Sequence, residues 1–404
     1  MNLPNTTLCV LPWVSIEASP IGTVRPCCLA DDEIVDDSGQ KFKLGTANFQ
    51  SIQNSNHMRN LRAQFLAGEK PQTCRKCWNE ERAGRASKRI HTLDRLKHML
   101  PDQEWTTDTK PLMFLDLKLG NICNLKCRIC GPWSSSQFAT EELNSMPREE
   151  QKSSHAYQML RAGAWPRENE QFWSQIDSVL TDIRYIEFTG GEPFMIAEHF
   201  DMLQGIVDRG IAHQVEIHYN TNGTQWPDRG PDIWRHFKTV EVAFSIDDVG
   251  ARFEYQRTNA DWAVVQDTIT SFQYLQTQMP NLQLQCCSTV NIFNVRYIDE
   301  LANWIALQKF DFVYWNMMHD AWYFSIATLP DTAKAQISEH LRSATVPPQY
   351  REEFDRITDF MNSGASTDGF MLRMKIADLD RKRNQDFAAV APEMAQLIEY
   401  TFNG

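Results

Sequence analysis

Three cysteines, Cys123, Cys127 and Cys130, lie within LGNICNLKCRICGPW in the spacing C-x3-C-x2-C. Thiolates are soft donors that select zinc or iron–sulfur clusters. Structural zinc takes a closed set of four ligands, and no histidine lies near enough in sequence to be the fourth. Three thiolates on a [4Fe–4S] cube leave one iron open, and an open iron can bind a small molecule directly. That vacancy is the expected chemical site. A zinc site completed by a distant residue, or three unligated core thiols, are the alternatives.

Other chemistry-bearing stretches follow in order. EFTGGEPFM carries Gly190 and Gly191, which allow close backbone approach to a ligand. Glu192 adds a carboxylate there, and Pro193 suits a helix start. YNTNGT places Asn222 before Gly223, and FSIDDVGARFEYQR holds Ser245, Asp247 and Arg257. Read singly, these are an ordinary strand-to-helix turn, an Asn-Gly turn and a surface ion pair. The first 80 residues add Cys9, Cys27, Cys28, Cys74 and Cys77, the last two as C-x2-C. Cys286 and Cys287 remain.

The chain that must position these groups has 404 residues, room for two or three domains. At 42% hydrophobic residues it can build a core. Its net charge of −12 argues against gripping a phosphate backbone. No apolar run is long enough for a bilayer, and the N-terminus lacks the basic and apolar regions of a signal peptide. A cytoplasmic location is expected, where cysteines serve as metal ligands more than as disulfides. Residues 1–80 are turn-rich, and a small domain with little helix needs a staple.

From Leu112, strand-length apolar runs alternate with amphipathic segments. The runs are residues 112–119, 184–190, 215–222, 239–247, 282–291 and 310–317. Such alternation predicts βα units and a parallel sheet, with ligands at the carboxyl ends of the strands. The cysteine loop directly follows the first run. In the fifth, alternation puts Cys286 with Leu282, Leu284 and Val290, and Cys287 with the polar residues Gln283, Gln285, Thr289 and Asn291. Residues 325–404 read as helices without a catalytic motif, suited to packing. In YWNMMHDAWYF (314–324), Asn316, His319, Asp320 and Trp322 are candidate substrate contacts, and His319 a proton carrier. No internal repeat is found.

The cysteine spacing, with Ile129 before the last cysteine, resembles the radical SAM superfamily. The GGEP of 190–193, the TNG of 221–223 and the Ser245–Asp247–Arg257 layout match further segments of that family in order. The resemblance covers 112–317. It implies a partial (β/α)6 barrel and S-adenosylmethionine chelated on the open iron. It implies cleavage of that molecule to a 5′-deoxyadenosyl radical, which abstracts a substrate hydrogen. Gly190, Gly191, Glu192, Pro193, Asn222, Ser245 and Arg257 are then the S-adenosylmethionine contacts. An electron donor such as flavodoxin or ferredoxin is implied as partner.

CVLPWVSIEASPIGTVRPCC with the later CRKC resembles the SPASM/twitch domain that binds an auxiliary [4Fe–4S] cluster. That resemblance implies Cys9, Cys27 (or Cys28), Cys74 and Cys77 as ligands, with Cys27 favoured because it follows Pro26. Five cysteines suit a single-cluster twitch domain, although such domains usually follow the barrel. A zinc ribbon is the alternative, since C-x2-C suits zinc equally.

The expected organisation is an α/β fold: a twitch-like domain over 1–90, a linker over 91–111, a radical SAM partial barrel over 112–324 and a helical region over 325–404. The expected activity is a SAM-dependent radical oxidoreductase acting on a peptide or protein side chain. A dehydrogenase or epimerase of a small molecule is the second reading, mildly favoured by the lack of an extra N-terminal leader-binding domain. A non-catalytic zinc-binding module is the third. Cys287, if it faces the barrel lumen, is a candidate hydrogen-atom donor. A packed core thiol is its plainer reading. Neither nucleic acid nor membrane is expected as a partner.

Overall fold

The computed structural model describes residues 3–82, 86–100, 104–167, 169–318 and 321–401. His319 and Asp320 lie outside the described residues. Among these residues eight strands form: β1 (Ser15–Ala18), β2 (Val24–Arg25), β3 (Phe114–Lys118), β4 (Tyr185–Thr189), β5 (Glu216–Thr221), β6 (Thr239–Ser245), β7 (Leu282–Val290) and β8 (Phe312–Met317). The last six fall inside the six apolar runs. Helices separate most of them, as the α/β class requires. No helix among the described residues is long and apolar enough to cross a membrane.

The chain divides into two compact units. One comprises Met1–Cys123, Pro132–Tyr219 and Pro227–Val240, the other Asn124–Gly131, Asn220–Trp226 and Glu241–Gly404.

In the first unit the strand order is β2-β1-β3-β4-β5. β2 is antiparallel to β1, and β1, β3, β4 and β5 are parallel neighbours. The N-terminal segment therefore enters the sheet: Ser15 pairs with Phe114 and Ala18 with Leu117. Four residues are too few for alternation to reveal such a strand in sequence. β3 is packed on both faces, with Leu115 and Leu117 fully buried. Each such leucine contributes roughly 1.5–3 kcal/mol. The helix Lys88–Leu96 starts where Ser87 accepts a hydrogen bond from the Ile90 amide, satisfying an otherwise orphan donor.

In the second unit the order is β6-β7-β8. β7 and β8 are parallel, with Cys287 opposite Tyr314 and Thr289 opposite Asn316. Strict alternation buries Leu282, Leu284, Cys286, Ser288 and Val290 on one face of β7. The helix Trp262–Gln276 is capped by the Asp261 carboxylate, which accepts from the Ala263 and Val264 amides. It buries Val265, Ile269 and Phe272, one helical stripe. Residues 325–401 are helical, with main segments Asp331–Ser343, Arg351–Ser363 and Phe370–Arg383.

Candidate metal centres and their surroundings

The first unit gathers four of the N-terminal thiols. Cys9, Cys27, Cys74 and Cys77 line one cavity together with Phe65, Lys88 and Arg89. A short 3-10 turn, Gln72–Cys74, runs into the helix Arg75–Arg82, so the C-x2-C pair sits where turn becomes helix. Trp78 closes the turn by donating its indole N–H to the Pro71 carbonyl at 3.0 Å. Arg89 braces the other side: its guanidinium donates to the Thr6 and Leu8 carbonyls, both at 3.0 Å, and pairs with Glu81. Burial pushes the Cys9, Cys27 and Cys74 thiols up, Cys27 to about 12, and neighbouring thiols add to it.

Four thiols around one cavity are a donor set that a metal group can deprotonate and share. Among the described residues no three His, Cys, Asp or Glu side chains are close enough to hold one metal ion. A cubane takes each thiolate on its own iron and so needs a wider ring of donors than a single zinc. The cavity supplies the four thiols a cluster would take.

Cys28 lies outside that lining. Its thiol faces the Asp116 carboxylate side of the sheet, with Lys88 and Asp116 among its charged neighbours. Asp116 belongs to a row that the sheet register lays across four strands: Glu17 opposite Asp116, Asp116 opposite Glu187, Glu187 opposite His218. Cations thread this row. Lys118 reaches Glu17 at 2.6 Å and Asp116 at 3.4 Å, and Lys88 reaches Glu187 at 2.7 Å and Asp116 at 3.8 Å. Arg25 forks onto Glu17 at 3.0 and 3.1 Å. Burial opposes the Lys118 charge, but Asp116 and Glu17 outweigh it and raise the ammonium above its usual range. Such a row costs desolvation that apolar packing would avoid, so it lends this face polarity rather than stability. Its sequence signal is the pair of charges inside the apolar run LMFLDLKL and the glutamate inside RYIEFTG, residues the sequence reading left unused.

Cys123 is also in this unit, buried, with its amide donating to Ser136 Oγ at 3.2 Å. The Gly190–Pro193 segment touches the same stretch of chain. Gly190 and Gly191 hold φ of 73° and 56°, which favours glycine. A Cβ on Gly191 would lie 2.4 Å from the Ile122 carbonyl oxygen. The Glu192 amide donates to that same carbonyl at 2.8 Å. The Glu192 side chain, fully buried, accepts from the Phe194 amide at 3.2 Å and starts the 3-10 turn Pro193–Met195.

The second unit holds Cys127 and Cys130. The Cys130 amide donates to the Cys127 carbonyl at 3.1 Å. A hydrogen bond from the Cys130 thiol, with the Arg257 guanidinium assisting, brings the Cys127 thiol down to about 7 against the pull of burial. Arg257 Nη1 lies 4.0 Å from Cys127 Sγ. Its Nη2 pairs with Asp247 at 2.7 Å, and Asp247 also accepts the Thr289 amide at 2.8 Å. Arg257 is thus a buried partner of Asp247 beside a cysteine, not the surface ion pair of the plainer reading. Ser245 ends β6, half-buried.

Asn222 donates to Asn124 Oδ1 at 3.0 Å, and Asn124 donates to Thr224 Oγ1 at 2.8 Å. The residue after the first cysteine is thereby bound to the Asn-Gly turn. Asn124 is a contact the sequence reading missed. Cys287 is half-buried on the polar face of β7. Burial and then Asp247 push its thiol up to about 12. Beside it on β8 the rings of Phe312 and Tyr314 are about half exposed. Trp322, the other described aromatic candidate, is 49% exposed, and Asn316 lies opposite Thr289 on the Cys287 face.

Residues 9–78 match the SPASM family model, an iron–sulfur cluster-binding domain. The match falls on the segment whose cysteines resemble that domain. Among solved structures, the chain is similar to native anSMEcpe with bound AdoMet and Cp18Cys peptide, at 16% identity over 58% of this chain and 59% of that one, with a TM-score of 0.38. It is similar to Streptococcus suis SuiB bound to S-adenosylmethionine, at 13% identity over 83% of this chain and 68% of that one, with a TM-score of 0.33. TYW1 with a lysine-pyruvate adduct is similar at 12% identity over 45% of this chain and 54% of that one, with a TM-score of 0.23. The chain thus spans about three fifths of the anSMEcpe chain. No curated protein matches it.

Proposed function

We propose that the chain is a radical SAM enzyme with two [4Fe–4S] clusters. Cys123, Cys127 and Cys130 hold the first. Cys9, Cys27, Cys74 and Cys77 hold the auxiliary one, Cys27 being preferred to Cys28 because it lines the cavity with the other three. The carrying observation is the seating of the Gly190–Glu192 backbone on the Ile122 carbonyl, next to Cys123. Two motifs 70 residues apart in sequence meet there, as a shared binding site requires.

When bound, the first cluster supplies the electron for reductive cleavage of S-adenosylmethionine, which allows a hydrogen to be taken from substrate. The protein's own residues do the rest. Gly190 and Gly191 leave room for close backbone approach, while Pro193 and Asn222 hold the turns in place. Glu192 offers its carboxylate for the methionyl ammonium, and Ser245 and Arg257 its polar groups. Asp247 keeps Arg257 oriented. Cys287 retains its S–H at neutral pH and is offered as a hydrogen-atom donor.

The substrate proposed is a peptide or protein side chain. The exposed rings of Phe312 and Tyr314, on the face that carries Cys287, support a substrate of extended size. An electron donor of the flavodoxin or ferredoxin type completes the system. The second reading is epimerisation or dehydrogenation of a small molecule, for which a protonated Cys287 would serve as the hydrogen-atom donor an epimerase needs.

The test is anaerobic iron and sulfide analysis, with S-adenosylmethionine and dithionite turnover. The wild type should hold about eight irons, two cubes of four, and form 5′-deoxyadenosine. Cys123→Ala/Cys127→Ala/Cys130→Ala should keep about half the iron and form none. A colourless wild-type protein that holds zinc and leaves S-adenosylmethionine intact would replace this reading with the binding module.

A further inference from the structure

Arg128 stands between two of the three loop cysteines and has no part in the reading above. In the second unit its side chain is almost wholly buried. The guanidinium lies 3.6 Å from the centroid of the Tyr255 ring. Its Nη2 donates to Asp380 Oδ1 at 2.6 Å and to Gln385 Oε1 at 2.8 Å, and its Nε to the Tyr255 carbonyl at 3.0 Å. Asp380 is fully buried in the helix Phe370–Arg383. Three more donors converge on its carboxylate: Tyr255 Oη at 2.8 Å, the Phe387 amide at 2.9 Å and Tyr400 Oη at 2.8 Å. On its other side the loop is laced to the chain after the Gly250–Gln256 helix. The Lys126 amide donates to the Thr258 carbonyl at 3.1 Å and the Arg128 amide to the Gln256 carbonyl at 2.8 Å.

A buried ion pair is a poor device for stability alone, because apolar residues of similar volume pack as well or better. Its best-attested use is to fix one arrangement among several. Here the pair joins residues 252 positions apart, one of them flanked by thiols. Two donors meet each oxygen of the Asp380 carboxylate, and Arg128 is the one that belongs to the cysteine loop, although its Nη1 has no hydrogen-bond partner among the described residues.

We propose that Arg128 and Asp380 form a clasp by which the C-terminal helical segment sets the conformation of the Cys127–Cys130 loop. Both are positioning residues for the metal group those thiols hold. The second statement rests on the cluster reading above. The first stands without it.

The experiment uses the full chain in two states. Hydrogen exchange is read on the metal-free protein, and the electron paramagnetic resonance spectrum on the reconstituted, dithionite-reduced protein. In Asp380→Asn, which keeps shape but removes the charge, the Lys126 and Arg128 amides should exchange faster by about tenfold or more. Amides of β7 and β8 should not change. The signal of the cluster on the three-cysteine loop should shift or broaden, with the iron content of the auxiliary site retained. Tyr400→Phe removes one hydrogen bond to the same carboxylate and should leave both readouts near wild type. If Asp380→Asn gives no soluble protein, Arg128→Lys is read in the same way, since it keeps the charge but loses the stack and fork. Wild-type exchange at Lys126 and Arg128 in the variant overturns the clasp. Faster exchange with an unaltered signal overturns its positioning role. If the triple cysteine variant keeps all of its iron, the cluster reading fails, and the exchange measurement still decides the clasp.

Discussion

Cys27 and Cys28 are adjacent thiols with different company, and each difference is measurable. Cys27 shares a cavity with Cys9, Cys74 and Cys77, whereas Cys28 is outside it, with Lys88 and Asp116 among its charged neighbours. Cys27→Ala should lose the iron of one cluster, about four atoms, and Cys28→Ala should lose none. Iron and sulfide analysis of the two variants decides it. Cys287→Ala should abolish any redox-neutral product while 5′-deoxyadenosine still forms, because the thiol is protonated and on the polar face of β7. Full turnover by that variant rules out the donor role.

His199 offers a pH test independent of metal. It is fully buried between the Ile196 carbonyl and the Tyr219 hydroxyl, and burial lowers its ring to about 3 from an ordinary 6.5. The unfolded chain therefore binds the extra proton first. Stability from this residue is intact above pH 6.5 and is lost as pH falls toward 3, by a few kcal/mol. Denaturant unfolding of the metal-free protein between pH 7 and pH 5 should show this slope, and His199→Gln should flatten it.

At the scale of elements, the proposed site lies at strand ends, and glycine makes the meeting of the loops after β3 and β4 possible. Gly191→Ala must relieve both a positive φ and a Cβ 2.4 Å from the Ile122 oxygen. Gly39 has φ of 83° and open space around its Cα hydrogens. Gly39→Ala should therefore cost about 1–2 kcal/mol, the left-handed penalty alone. Gly191→Ala should cost clearly more and weaken S-adenosylmethionine binding. Melting temperature and equilibrium dialysis of both variants check this. The six longer strands were legible because each is written locally, as a strand-length apolar run in β3 and β6 or as period-two alternation in β5 and β7. β1 was not, since a four-residue strand carries too little pattern.

At the scale of the molecule, the proposed auxiliary cluster would staple the N-terminal segment of the first unit. Metal bound only by the folded state stabilises it by mass action. Removal of iron with a chelator should make residues 9–78 the first cleavage region in limited proteolysis, while β7 and β8 stay protected. Mass mapping of the fragments reads the order. Equal resistance with and without iron would show that apolar packing around Trp13, Phe65 and Trp78 suffices.

The donor types, the C-x3-C-x2-C and C-x2-C spacings, and the alternation of strands with helices are local properties, and the sequence alone determined them. They were enough to indicate thiol-held metal on an α/β frame. Which thiols share a cavity, what Arg257 grips, and why Arg128 sits between cysteines depended on tertiary contacts. Arg257 meets Asp247 through a loop and a helix, and Arg128 meets Asp380 across 252 residues. Such pairings have no periodicity to read. They exist only because burial forces each charge to find a partner, and the fold decides which one is within reach.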